Sequence, residues 1–392
     1  MAHYRYLIVG GGMTGNAALR GIREVDPAGS IGLIGYEPHP PYKRPPLSKG
    51  LWKGKAVETI WLRAEETDAD LRLGTTAVSL DAGARRVRVD RGEEHTFERL
   101  LIATGGTPRR LSFGGDQAIY YRTFDDYQRL RALTERGDRF AVIGGGFIGS
   151  EIAAALRMNG KRATLLLRAP GIGPQIFPQG LSGYLSAYYR DQGVEVLEAE
   201  SAAALEPEGE ALLLTTAAGR RLRVDGVVAG IGIEPNVSLA RGAGLTIENG
   251  IVVDEWLRTS HPHIFAAGDV ASFSSPALGK ILRVEHEDNA NVMGKIAGRN
   301  MAGANEPYRH LPFFYSDLFE LGYEAVGETD PRLDVVEDWQ EPYGKGVVYY
   351  LRDHRVKGVL LWNVWDQVEH ARQLIGEPGP FRPDDLRGRL PA

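Results

Sequence analysis

Tyr4-Arg5-Tyr6-Leu7-Ile8-Val9-Gly10-Gly11-Gly12-Met13-Thr14-Gly15 carries an apolar run into three glycines and then, after two residues, a fourth. The run predicts a strand from Tyr4 to Val9. Ala17, Ala18, Leu19 and Ile22 follow at helical spacing, and a second apolar run covers Ile31 to Ile34. Strand, glycine turn, helix and strand make a βαβ unit of the Rossmann kind. In such a unit Gly10 forms the turn, Gly12 lets the backbone approach a pyrophosphate, and Gly15 permits close packing of helix on strand. Thr14 falls in the first turn of the helix, whose N-terminus faces the phosphates. Glu37 stands roughly 20 residues past the loop, where an acidic side chain accepts the ribose hydroxyls of an unphosphorylated adenosine.

The same pattern returns in mid-chain. A strand from Phe140 to Ile143 leads into Gly144-Gly145-Gly146-Phe147-Ile148-Gly149, a helix through Met158 and a strand from Ala163 to Leu167. Two such units in one chain point to two nucleotides, one passing electrons to the other. Two further apolar runs end in small-residue turns: Leu100-Leu101-Ile102 before Ala103-Thr104-Gly105-Gly106, and Ile264-Phe265-Ala266-Ala267 before Gly268-Asp269-Val270. Strand exits of this kind are where an open α/β sheet presents its ligands.

Composition narrows the chemistry. The 392 residues suggest two or three domains, and 43% apolar with 25% charged residues is ordinary for a globular chain. Cysteine is absent, which removes disulfides, thiolate metal sites, iron–sulfur ligation by this chain and thiol redox chemistry. A net charge of −5 offers no basic field, so nucleic acid is not an expected partner. No run approaches a membrane span and the N-terminal run lacks signal-peptide order, so a cytoplasmic protein is expected. His286-Glu287-Asp288-Asn289-Ala290 lacks the second histidine of a zinc-protease helix, and His261-Pro262-His263 reads as a turn, so no metal is expected. There is no Walker loop and no G-x-S-x-G elbow.

The four glycine-containing pieces, in this order, resemble the FAD-dependent pyridine nucleotide oxidoreductases over nearly the whole chain. The resemblance implies FAD contacts at Gly10, Gly12, Thr14, Gly15, Glu37, Thr104, Gly105, Gly268 and Asp269, and nicotinamide nucleotide contacts at Gly144, Gly146, Ile148 and Gly149. Gly230-Ile231-Gly232-Ile233-Glu234-Pro235-Asn236 matches the family's G-x-G-x-x-P-N turn, which adds Gly232. Arg44-Pro45-Pro46-Leu47-Ser48-Lys49 resembles the segment that the ferredoxin-reductase-like branch carries where thiol-dependent reductases place a cysteine pair. In that branch the arginine and lysine approach the flavin and the lysine pairs with a glutamate after the second glycine loop. Those positions are Arg44, Lys49 and Glu151, and the resemblance makes Lys49 and Glu151 the catalytic candidates.

From Arg283-Val284-Glu285-His286 onward the chain is most similar to the apoptosis-inducing-factor type. Further matching pieces are Phe314-Tyr315-Ser316-Asp317 and Gly358-Val359-Leu360-Leu361-Trp362-Asn363. The resemblance implies that Glu285 and His286 open a helix aimed at the flavin and that Tyr315 lies against its rings, at a position usually held by Trp. The expected class is α/β: two Rossmann-like dinucleotide-binding domains, for FAD and NAD(P), plus a C-terminal α+β domain. The expected division is FAD-binding over 1–110 and 241–305, NAD(P)-binding over 111–240 and the closing domain over 306–392.

The resulting expectation is an NAD(P)H-dependent flavoprotein reductase delivering electrons to a small iron–sulfur protein, ferredoxin or rubredoxin, with a homodimer as one assembly open to it. Two alternatives are an apoptosis-inducing-factor-like NAD(P)H sensor with slow oxidase activity and a small-molecule reductase on the same scaffold. The strand after the second glycine loop ends at Leu167, followed by Arg168, with no acid for the ribose. Arg168 could pair with a 2′-phosphate, so both NADH and NADPH are expected to serve.

Overall fold

The computed structural model describes residues 1–391. The chain divides into two compact units, the first made of 1–43, 57–107 and 234–312, and the second of 44–56, 108–233 and 313–391. The short segment 44–56 thus packs with the second unit, although the sequence division carries it inside 1–110.

In the first unit a parallel sheet sets Asp70–Arg72, Ile31–Ile34, Ala2–Val9, Glu94–Ile102 and Ile264–Ala266 side by side. Leu7, Ile8, Leu33, Leu100 and Ile264 have no solvent exposure, as expected for parallel strands covered on both faces. The register aligns Ile34, Val9, Ile102 and Ala266 in one row at the carboxyl edge. The residues just past that row, Gly10, Ala103 and Ala267, each donate a backbone N–H to a neighbouring strand's last carbonyl, at 2.9, 2.8 and 3.2 Å. The turns holding Gly12, Thr104 and Asp269 therefore emerge beside one another.

One face of this sheet is covered by the helix Met13–Val25, which packs on Glu287–Met301 almost backbone to backbone. A Cβ added at Gly294 would lie 2.4 Å from the Thr14 carbonyl, one at Gly298 2.2 Å from that of Ala18, and one at Gly21 2.2 Å from that of Lys295. Only glycine fits at these three crossings.

The second unit repeats the plan with parallel strands ordered Glu195–Leu197, Arg162–Leu166, Arg139–Ile143, Gly226–Ala229 and Ala118–Tyr120. Its helix after the glycine loop is Phe147–Met158. The closing part is a five-stranded antiparallel sheet ordered Phe313–Leu318, Leu321–Gly327, Arg355–Trp362, Lys345–Arg352 and Asp334–Glu341, followed by the helix Val368–Gly376. Among the described residues no helix is long and apolar enough to cross a membrane.

Candidate functional site

The two glycine loops have the same geometry. Gly10 has φ +133° and a Cβ there would fall 2.0 Å from the Ala103 carbonyl; Gly144 has φ +108° and its Cβ would fall 2.3 Å from the Gly230 carbonyl. Gly15 and Gly149 press on the first glycine of their own loops, at 2.0 and 1.7 Å for a built Cβ. Gly12 and Gly146, in contrast, face open space, with nothing within 4 Å. Each of these two is the N-cap of its helix, and neither helix has a side chain capping its free N–H groups. Uncapped donors at a helix N-terminus, next to a glycine with nothing in front of it, fit a pyrophosphate in both units.

In the first unit Glu37 accepts a hydrogen bond from the Tyr42 hydroxyl, which fixes the carboxylate just past the strand Ile31–Ile34. Thr104 is used structurally. Its hydroxyl donates to the Asn236 carbonyl at 2.8 Å, and the Asn236 side-chain amide donates back to the Thr104 carbonyl at 2.9 Å. The Asn236 backbone N–H adds a bond to the Gly105 carbonyl, also at 2.9 Å. Asn236, which closes this lock on Thr104 and Gly105, was quoted in the P-N turn but was not among the expected site residues.

Gly268, at φ +76°, packs so that a Cβ would strike the Thr14 hydroxyl at 2.3 Å, which joins the G-D turn to the first glycine helix. Asp269 follows it, its carbonyl accepting from Arg283 at 3.0 Å, and Arg283 pairs with Glu285 at 2.7 Å. His286 is the N-cap of the helix Glu287–Met301. Burial pushes its ring down to about 4, against the opposing pull of Asp269 and Asp288, so it is neutral at pH 7.

In the second unit Pro45 and Pro46 open a short 3-10 turn, Pro45–Leu47, a use suited to residues that lack a free N–H. The Leu47 carbonyl accepts from the Trp52 indole at 2.8 Å and the Tyr121 hydroxyl at 2.5 Å, and the Arg44 guanidinium donates to the Arg122 carbonyl at 2.8 Å. So anchored, the loop delivers Ser48 and Lys49 to Glu151, which is 2% exposed on the helix Phe147–Met158. Lys49 Nζ stands 2.6 Å from Glu151 Oε1. The Ser48 hydroxyl donates to Oε2 at 2.5 Å, and that of Ser316, from the strand Phe313–Leu318, donates to Oε1 at 2.6 Å.

Three donors on one buried carboxylate offset its desolvation. The ammonium also lies 5.2 Å from the centre of the Tyr315 ring, within cation–π range. Lys49, Glu151 and Tyr315 are thus brought together within one unit, while Arg44 is held on a separate carbonyl. Ser48 and Ser316 were quoted within motifs but not singled out; nothing local in either motif identifies Glu151 as their partner.

A small recess beside the second glycine loop is lined by Gly145, Gly146, Phe147, Gly173, Phe177 and Tyr323. The Gly173 N–H donates to the Gly145 carbonyl at 3.1 Å, drawing the segment after Arg168 over the loop. Ile148 packs in the first turn of the helix, near Gly230, and Gly232, at φ +94°, accepts from the Arg109 N–H at 2.9 Å. Arg168 is exposed, whereas Leu167 is 1% exposed and packs on Gly145. An acid substituted at 167 would therefore be buried, so that position is a poor place to install a ribose ligand. No group of three or more His, Asp or Glu that could hold a metal ion occurs among the described residues.

Comparison with known proteins agrees with this geometry. The family model described as pyridine nucleotide-disulphide oxidoreductase matches residues 4–294. The model for the C-terminal part of mitochondrion-associated apoptosis-inducing factor matches 297–341 and 334–377. The chain is 34% identical to the anthranilate 1,2-dioxygenase system ferredoxin–NAD(+) reductase component of Burkholderia cepacia, over 97% of this chain and 96% of that protein. It is 29% identical to a putative mitochondrial apoptosis-inducing factor 1 of Drosophila melanogaster, covering 98% of this chain but 64% of that longer protein. Its fold superposes with a TM-score of 0.91 on a crystal structure of the covalent putidaredoxin reductase–putidaredoxin complex. That match has 30% identity over 98% of this chain and 95% of the other.

Proposed function

We propose, since this chain belongs to the pyridine nucleotide-disulphide oxidoreductase family, that it is an FAD-containing, NAD(P)H-dependent reductase passing electrons to a small iron–sulfur carrier, a ferredoxin or rubredoxin. The observation that carries the reading is the buried Lys49–Glu151 pair in a chain with no cysteine. A thiol relay is closed to it, and a positioned ammonium stands in the segment where thiol-using relatives carry their pair. The near end-to-end match with a ferredoxin–NAD(+) reductase component supports the same acceptor class.

FAD, when bound, supplies the chemistry: it takes two electrons as a hydride and gives them up singly. The chain's own residues do the rest. Gly12 and the free N–H groups of Met13–Val25 receive one pyrophosphate, with Glu37, steadied by Tyr42, on the ribose. Gly146 and the N-terminus of Phe147–Met158 receive the other. Ser48 and Ser316 hold the Glu151 carboxylate, and Glu151 fixes the Lys49 ammonium, the group this reading assigns to flavin reduction. Arg168, exposed past Arg162–Leu166, gives a 2′-phosphate a partner, so NADPH is accepted alongside NADH.

Two substitutions test these roles. Glu37→Ala should lower FAD retention, read as the flavin absorbance per protein after gel filtration, without loosening nicotinamide nucleotide binding. Lys49→Met should keep FAD bound yet slow flavin reduction by NADH at least tenfold in anaerobic stopped flow; a wild-type rate removes the lysine from the reaction.

A second reading has its own support in the C-terminal match over 297–377: a nucleotide sensor of the apoptosis-inducing-factor type. Anaerobic reduction by NADH followed by mixing with a ferredoxin and cytochrome c separates the two. Rapid cytochrome c reduction that requires the ferredoxin bears out the reductase; a reduced flavin that persists unchanged in its presence bears out the sensor.

A further inference from the structure

We propose that Glu200 supplies the carboxylate that the second nucleotide unit lacks at its usual place, and that it biases the chain toward NADH; the inference rests on the reductase reading above. In a dinucleotide unit the acid that grips the adenosine ribose ends the second strand. Here that position is Leu167, buried against the glycine loop, and its neighbour Arg168 is basic.

The next strand outward, Glu195–Leu197, runs parallel to Arg162–Leu166, with Leu197 opposite Leu166. The two chains remain zipped beyond the ends of their strands. The Leu167 N–H donates to the Leu197 carbonyl at 2.8 Å, the Glu200 N–H donates to the Leu167 carbonyl at 2.8 Å, and the Ala199 N–H donates to the Ala169 carbonyl at 3.1 Å. Ala199 takes a left-handed conformation, φ 52°, and so turns the chain at the strand end. The backbone of Glu200 is therefore tied directly to the residue standing in the acid's place.

The state of its side chain is the second observation. Three acids lie on this stretch, and two are satisfied: Glu195 pairs with Arg220, and Glu198 with Arg190 at 3.1 Å. Glu200 is half-buried: its Oε1 is turned away from solvent with no hydrogen-bond partner among the described residues, while part of the residue remains exposed. A shielded carboxylate oxygen without a donor is costly, and such groups call for a partner that arrives from outside. A ribose diol brings two O–H donors; a 2′-phosphate brings negative charge and is repelled. Arg168, exposed and next in the chain to Leu167, lessens that repulsion, so NADPH is disfavoured without being shut out.

Calorimetric titration of the FAD-loaded protein tests this without turnover. NAD+ should bind about tenfold more tightly than 2′-deoxy-NAD+, the ratio expected for one charge-assisted hydrogen bond. Glu200→Gln should weaken NAD+ about tenfold while leaving NADP+ unchanged or tighter. Equal binding of NAD+ and 2′-deoxy-NAD+ by the unaltered protein overturns the proposal, whatever the variant does. So does a Glu200→Gln protein that keeps the NAD+ to NADP+ ratio. If neither nucleotide binds the unaltered protein, the reductase reading fails and takes this inference with it.

Discussion

Replacing Glu151 by alanine is expected to cost the second unit about 3–5 kcal/mol, the range for removing one partner of a buried ion pair. The reason lies in what remains. Lys49, with 12% of its side chain exposed, loses its counter-ion beside two serine hydroxyls that have lost their acceptor. Three donors are stranded at once. Lys49→Met should cost less, because Glu151 keeps Ser48 and Ser316. The double variant Lys49→Met, Glu151→Leu should recover much of the loss, since it leaves neither charge behind. Denaturant unfolding followed by fluorescence measures all three. A Glu151→Ala protein within about 1 kcal/mol of wild type would mean that the pair does not organise this unit.

Gly149→Ala and Gly146→Ala should separate folding from binding, although each adds one methyl to the same loop. At Gly149 the methyl would lie 1.7 Å from the Gly144 carbonyl, so helix and loop must move apart. A loss of about 3 kcal/mol, the upper end for overpacking, is expected together with loss of nicotinamide nucleotide binding. At Gly146 nothing lies within 4 Å, so the unfolding midpoint should stay put. The methyl instead occupies the space left for a pyrophosphate, and NAD+ affinity should fall at least tenfold. FAD content should be unaltered in Gly146→Ala. Wild-type NAD+ affinity in that variant would remove the pyrophosphate from this loop.

Most of the architecture was legible because it is written locally. An apolar run, a glycine triplet and a helical repeat lie within some twenty residues of one another, and each copy folds as its own spacing dictates: the second helix closes at Met158 as expected. The pairing of Lys49 with Glu151, implied by the resemblance, appears in the structure at hydrogen-bond distance.

What escaped the sequence is long-range. Ser48 and Ser316 reach Glu151 from 103 and 165 residues away, and no periodicity connects them. Asn236 was visible as a motif letter but not as the clasp on Thr104. That Leu167 is not an acid is visible along the chain, but Glu200 becomes its neighbour only once two parallel strands are laid side by side. For the same reason, nothing in the composition of 44–56 reveals that this segment packs with the second unit.

The glycine crossings between Met13–Val25 and Glu287–Met301 set a schedule for biosynthesis. The earlier helix leaves the ribosome first, and the partner that covers it comes only after the whole inserted segment 108–233 has been made. At about 5–20 residues per second, the nascent first unit waits on the order of tens of seconds with an apolar helix face uncovered. The inserted stretch 108–233 carries its own parallel sheet and can begin to fold during that delay. Chaperone demand should therefore fall on the portion of the chain made first, and end when Gly294 and Gly298 arrive.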